Sequence, residues 1–379
     1  MRTLRSLFLS LLLTPVLALA QQMSLPTPPT LAAKSWLLIE VSSGQVLSSQ
    51  AADDRLEPAS LTKLMTAYLT FSALKQGTIK LDQAIPVSEK AWRAQGSRMF
   101  IQVGTQVVVE DLIKGMIVQS GNDACVALAE AIAGSEDNFA QMMNREAQRL
   151  GMKGTSFRNA AGLPDPQHYT TASDLGRLTT ALIRDFPQEY AKYYSLREFR
   201  YNKITQPNRN RLLWLDPSVD GVKTGHTDAA GYCLISSAKR GPRRLLSVVL
   251  GTASDSVRAQ ESLKLLNYGF QFYDAVRLYA KDQPVTTMKV WKGAQSTLKA
   301  GFANDFQLAV PKGFEQSLKS EFVAQPKLMA PITVGQVVGT LKVSLDGKPF
   351  GEYPVNALEA VPAAGAIGRA IDTVRLWFN

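Results

Sequence analysis

Apolar and polar positions alternate along this chain in two distinct textures. Up to about residue 281 the apolar residues recur mostly at helical spacing. From Ser60 onward Leu61, Leu64, Met65, Tyr68, Leu69 and Leu74 keep a period near 3.6, which predicts a helix with Ser60 at its N-terminus. Glu110–Val118 and Asp123–Ala133 read as two helices interrupted at Ser120-Gly121-Asn122, and Ser173–Arg184 as a further capped helix. Trp36–Val41 and Gln45–Leu47 flank Ser42-Ser43-Gly44 as a hairpin. Phe199 and Tyr201 alternate with Arg200 and Asn202 in a strand-like way. Tyr232–Ala238 and Arg244–Gly251, separated by Gly241-Pro242, predict a second hairpin, and Glu261–Phe272 an amphipathic helix. Beyond Asp282 short Val- and Thr-containing runs replace the helical period: Thr286–Val290, Phe306–Val310, Val337–Val343 and Tyr353–Leu358. Gly, Pro or Asn separates them, which predicts a small all-β domain.

The two ends of the chain are patterned differently. Arg2, Arg5, an apolar run from Leu7 to Leu19 and the small-residue site Ala18-Leu19-Ala20 read as a secretory signal over residues 1–20. The remaining length suits two domains, a catalytic one over 21–281 and the all-β one over 282–362. In the tail, 363–379, Ile367, Ile371, Val374 and Phe378 recur at helical spacing. The 14 residues from Ala366 to Asn379 span roughly 21 Å as a helix, short of the ~30 Å hydrocarbon core. Such a helix can lie on a membrane surface or dock on its own protein. Export, a basic chain and Trp377-Phe378 favour the membrane surface.

Charge and rare residues narrow the chemistry. The net charge of +10 falls to +8 without Arg2 and Arg5, which suits an anionic surface or polymer, and no Lys/Arg run suggests nucleic acid. Histidine occurs only as His168 and His226, so a multi-histidine metal site is not expected, and no cofactor is implied. Cys125 and Cys233 lie in apolar stretches. Two buried free thiols is the favoured reading, with a disulfide open to an exported chain.

Ser60-Leu61-Thr62-Lys63 places a serine one helical turn from a lysine, so that nucleophile and base share a face. Ser-x-x-Lys alone is common. Its weight comes from Ser120-Gly121-Asn122 and Lys223-Thr224-Gly225, which follow in the order of the three-part signature of penicillin-binding proteins and class A β-lactamases. Gln119–Cys125 and Asp220–Thr227 extend the match. In these motifs the chain resembles the low-molecular-mass penicillin-binding proteins of the penicillin-binding protein 5 and 6 type, which are serine D-alanyl-D-alanine carboxypeptidases.

The resemblance implies an α+β fold: a β-lactamase/transpeptidase-like catalytic domain with an antiparallel sheet between helical layers, then the all-β domain and the amphipathic helix. It implies trimming of the terminal D-Ala from peptidoglycan pentapeptides, acylation by β-lactam antibiotics, and a periplasmic place on the outer face of the inner membrane. Carried onto these residues, Ser60 attacks, Lys63 is the base, Ser120 relays the proton and Asn122 holds the substrate amide. The backbone N–H groups of Ser60 and His226 receive the oxyanion. Lys223, Thr224 and Gly225 line the substrate, with Arg209 or Arg258 meeting its carboxylate. A neutral Lys63 requires its pKa to fall by roughly three units, about 4 kcal/mol. Several relatives carry a histidine where this chain has Ala161, facing the residue matching Asp185, so deacylation is the step on which the chain is expected to differ. Glu198-x-x-x-Asn202 matches the deacylating pattern of class A β-lactamases only by coincidence. The rival readings are a β-lactamase and a membrane-anchored binder of cell-wall peptide.

Overall fold

The computed structural model describes residues 26–376. The signal read over 1–20, and Trp377 and Phe378 of the tail, lie outside the described residues. The strands β1 (Ser35–Glu40) and β2 (Gln45–Gln50) form the expected hairpin. Its turn is closed by the Glu40 carboxylate, which accepts from Ser42 Oγ and from the N–H and Oγ of Ser43. With β3 (Val219–Thr227), β4 (Gly231–Arg240) and β5 (Arg243–Thr252) they make a five-stranded antiparallel sheet in the order β2-β1-β5-β4-β3. Lys223-Thr224-Gly225 therefore lies within a strand, at the sheet edge.

Both faces of this sheet are covered, so alternate side chains enter two different cores. Leu37, Ile39, Ile235 and Val248 join one apolar cluster with the helices α1 (Lys63–Lys75), α2 (Val109–Val118), α3 (Asn122–Ala133) and α5 (Ala172–Asp185). α4 (Glu136–Arg149), absent from the sequence reading, packs on the same side. Trp36, Leu38, Leu234 and Val249 face the other way, onto α6 (Asp255–Phe272). α6 starts ahead of the expected Glu261 because Ser254 caps it, accepting from Val257 N–H. α1 sits between sheet and helices and is buried nearly all round. It begins at Lys63 rather than Ser60: Ala59–Thr62 is a single 3₁₀ turn leading into it.

The second unit starts with β6 (Tyr273–Tyr279), ahead of the expected join near Asp282. It continues through β7 (Pro284–Lys289), β8 (Thr297–Gly301), β9 (Phe306–Pro311), β10 (Leu318–Ala324), β11 (Val337–Leu345) and β12 (Lys348–Ala357). β6 pairs with β9, and the other five form a sheet ordered β7-β8-β12-β11-β10 around Val290, Leu298, Leu308, Val338, Leu341 and Val355. α7 (Ala366–Leu376) ends the described chain. Its Asp372 Oδ2 accepts from the Lys292 N–H, while Ile367, Ile371 and Val374 are exposed.

The first hairpin joins the two units. The Gln45 amide donates to Ala309 O and accepts from Ala309 N–H, both at 3.1 Å, as one more backbone rung would. Gln45→Ala leaves both Ala309 groups without this partner. The expected result is a loss of roughly 1–3 kcal/mol in denaturant unfolding, with faster amide exchange at Ala309; unchanged protection there would contradict this role.

Candidate active site

The 3₁₀ turn brings Ser60 and Lys63 together, because side chains three residues apart eclipse in that geometry. Lys63 Nζ donates to Ser60 Oγ at 2.8 Å and to Ala161 O at 2.6 Å. Lys63 is 2% exposed, and no carboxylate among the described residues pairs with it. Burial lowers its pKa from 10.5 to about 8, with Arg209 pushing the same way against opposing Cys125 and Asp123.

The break between α2 and α3 carries the second group. Ser120 has a left-handed backbone (φ 63°), unusual for a residue with a Cβ. Its Oγ accepts from Lys223 Nζ at 2.9 Å. Asn122 is the first residue of α3 rather than its cap. Its Nδ2 donates to Gln95 O at 2.5 Å, whereas its buried Oδ1 has no partner among the described residues. Asp123 binds the neighbouring segment: its carboxylate accepts from the N–H groups of Met99, Phe100 and Ile101 at 2.8–3.2 Å. Neither Asp123 nor Gln95 was singled out from the sequence, since backbone partners leave no spacing signature.

Edge strand β3 supplies the third side. Lys223 is fully enclosed and also donates to Thr224 O at 2.8 Å. Burial, then Lys63, then Arg209 hold its pKa well below the usual value. Gly225 is where β3 passes the serine turn: a Cβ there would meet Pro58 O at 3.1 Å and Leu61 Cγ at 3.2 Å. His226 is exposed and lies against Tyr232, with ring centroids 4.0 Å apart.

The two candidate arginines differ in kind. Arg258 is buried behind β3, donating to Gly225 O and Cys233 O and paired with Asp255. It is neither a surface ion pair nor an unengaged cation. Arg209 is exposed and has no hydrogen-bond or ion-pair partner among the described residues. Its partial desolvation and then Arg258 lower its pKa. Two cysteine thiols are free and buried; burial pushes Cys125 up to about 12, so it stays protonated. Glu198 is exposed on a short strand, Glu198–Tyr201. Asp185 accepts from Tyr68 OH at 2.7 Å. His168 is buried and meets Thr62 Oγ1.

Comparison with known proteins agrees with this geometry. Residues 22–254 match the D-alanyl-D-alanine carboxypeptidase family and residues 273–363 the penicillin-binding protein 5 C-terminal domain. The chain is 44% identical to D-alanyl-D-alanine carboxypeptidase DacC of Escherichia coli K12, over 93% of this chain and 90% of that one. It superposes on the crystal structure of penicillin-binding protein 5 from Haemophilus influenzae with a TM-score of 0.80 at 40% identity, covering 89% of this chain and 99% of that one. Penicillin-binding protein D2 of Listeria monocytogenes in its ampicillin-bound form matches 65% of this chain and all 100% of its own, with TM-score 0.60 and 32% identity. The architecture, the serine–lysine pair and these relatives lead to one conclusion: the chain belongs to the D-alanyl-D-alanine carboxypeptidase family.

Proposed function

We propose that Ser60 is the nucleophile with which this chain removes the terminal D-Ala of a peptidoglycan pentapeptide, and that β-lactams acylate the same oxygen. The observation that carries the assignment is the 2.8 Å contact between Ser60 Oγ and a lysine amine with no carboxylate partner among the described residues. Neutral Lys63 takes the Ser60 proton as Oγ bonds to the penultimate D-Ala carbonyl carbon. The oxyanion is met by the N–H groups of Ser60 and His226. When the C–N bond breaks, the proton held on Lys63 passes through the Ser120 hydroxyl, which Lys223 holds in place, to the leaving amine, so that Lys63 is neutral again. Water then attacks the ester, with Lys63 again as base, and Ser60 is restored.

Substrate recognition falls to the groups around this pair. The unpartnered Asn122 Oδ1 suits an amide N–H of the acyl donor. Edge strand β3 can extend the substrate as an added strand beside Thr224 and Gly225. Arg209 suits the terminal carboxylate, with Arg258 behind the strand adding to the positive field. The exposed Ile367, Ile371 and Val374 of α7 suit contact with a membrane surface from the periplasmic side. No helix among the described residues is long and apolar enough to cross a membrane.

Four outcomes test these roles. A fluorescent penicillin is expected to label Ser60, with the labelling rate rising about tenfold per pH unit below about 8 and levelling above it, as the base loses its proton. A Ser60→Ala variant is expected to lose both the adduct and D-Ala release; if either persists, the nucleophile is elsewhere. Arg209→Ala is expected to lower kcat/KM for a peptide ending in D-Ala-D-Ala by roughly 10- to 100-fold, with little change for its C-terminal amide. An equal loss on both would remove Arg209 from carboxylate recognition. Truncation after Gly365 is expected to abolish co-sedimentation with anionic vesicles while leaving penicillin labelling intact. Retained binding would place membrane contact outside α7.

A further inference from the structure

The loop 159–168 is fastened to the turn that carries Ser60, and its fastening point is His168. His168 Nε2 and Thr62 Oγ1 are 3.0 Å apart, in side chains that are 2% and 0% exposed. The ring's other nitrogen decides which atom donates. Nδ1 faces the Asn159 amide Nδ2 at 3.4 Å. That amide's orientation is set by its own contacts: Nδ2 also donates to Leu163 O, and Oδ1 accepts from the N–H groups of Ala161, Gly162 and Leu163. Nδ1 is therefore the acceptor, and Nε2–H donates to Thr62 Oγ1. Phe157 closes the ring's side edge-on, with centroids 5.8 Å apart.

The same loop touches the turn and α1 at three more points. Ala161 O accepts from Lys63 Nζ, and Ala160 O accepts from Thr66 Oγ1 at 2.7 Å. Gly162, at φ 84°, lies so near the turn that a Cβ would fall 1.8 Å from Ala59 O and 2.8 Å from Thr62 Oγ1. Lys63 Nζ thus spans two bodies, with Ser60 Oγ on the turn and Ala161 O on the loop. How well it reaches both depends on the register between them.

Resting on the reading of Ser60 as nucleophile, we propose that His168 is a positioning residue for acylation: its bond to Thr62 holds loop and turn in the register that keeps Lys63 Nζ on Ser60 Oγ. The ring acts as a neutral imidazole. Burial first, then Arg158 and Lys63, outweigh Asp165 and lower its pKa to about 4. A charged ring would set Nδ1–H against the N–H of the Asn159 amide and a further cation near Lys63. The signal in the sequence was slight, since His168 is a lone histidine in a loop and its partner is the x beside the motif lysine.

The test uses the full mature chain and the second-order acylation constant for a fluorescent penicillin, with kcat and KM for D-Ala release. Thr62→Val removes only the hydroxyl, and His168→Phe keeps the ring while removing its nitrogens. Each is expected to lower acylation and kcat by about tenfold with KM little changed. The double variant is expected to be no slower than either single one, because both remove the same bond. His168→Gln, whose Nε2–H can reach the same hydroxyl, is expected to recover to within about threefold of the wild type. If the single variants melt earlier yet acylate at the wild-type rate, or their losses multiply in the double variant, His168 does not position the pair. If wild-type protein labels at a residue other than Ser60, the underlying assignment fails and this proposal with it. Should His168→Phe fail to fold, Thr62→Val alone still decides.

Discussion

The interaction on which the rest depends is the 2.8 Å contact between Lys63 Nζ and Ser60 Oγ, made where Lys63 is sealed from water. An amine can accept the serine proton only when its nitrogen has a free lone pair, and in water a lysine is protonated at neutral pH. Burial changes that balance by penalising the ammonium form. The fold provides the burial: α1 runs through the middle of the larger apolar cluster, with the sheet on one side and α3 and α5 on others. A residue of this charge in that place is tolerable because its nitrogen keeps two oxygen partners, both neutral.

Of the surrounding charges, Arg209 acts in the same direction and Asp123 against it. Arg209 lowers the Lys63 pKa and the Lys63 charge in turn lowers that of Lys223, while the acid nearest in sequence to the Ser120 turn is engaged elsewhere. Asp123 spends its oxygens on the backbone of Met99, Phe100 and Ile101. It thereby fixes the segment whose Gln95 carbonyl holds Asn122. The result is a site with excess positive charge, which in the proposed function suits a carboxylate-bearing substrate through Arg209, and among the described residues no carboxylate pairs with Lys63 to lock it in its charged form. Strain accompanies this arrangement at Ser120, held at φ 63° between two helices.

Much of this was legible before any coordinates. The order Ser60–Lys63, Ser120–Asn122, Lys223–Gly225 carried the family, and the 3.6-residue period around Leu61, Leu64 and Tyr68 located the helix behind the nucleophile. The hairpins Trp36–Leu47 and Tyr232–Gly251 also followed from local pattern, because turn residues and apolar strands are encoded side by side. What escaped was encoded at a distance. The sequence showed Arg209 and Arg258 as alternatives of equal standing, and only packing separates the buried strut from the unpaired cation. Ala161 drew notice for the side chain it lacks, whereas its carbonyl is what touches Lys63. β10 went unread because Lys319, Ser320 and Glu321 in succession leave little alternation in it, and β8 because its alternation spans only five residues. α4 was missed although Ser135 caps it, since its apolar face is thin beside its polar residues.

The most direct measurement is the protonation of Lys63 in the resting enzyme, followed by NMR with lysine labelled at the ε position and assigned through Lys63→Arg. A titration centred near 8 is expected, with the amine neutral above it. A Lys63 signal that stays that of an ammonium up to pH 10 would contradict the assignment of this residue as the base, whatever the fate of Ser60.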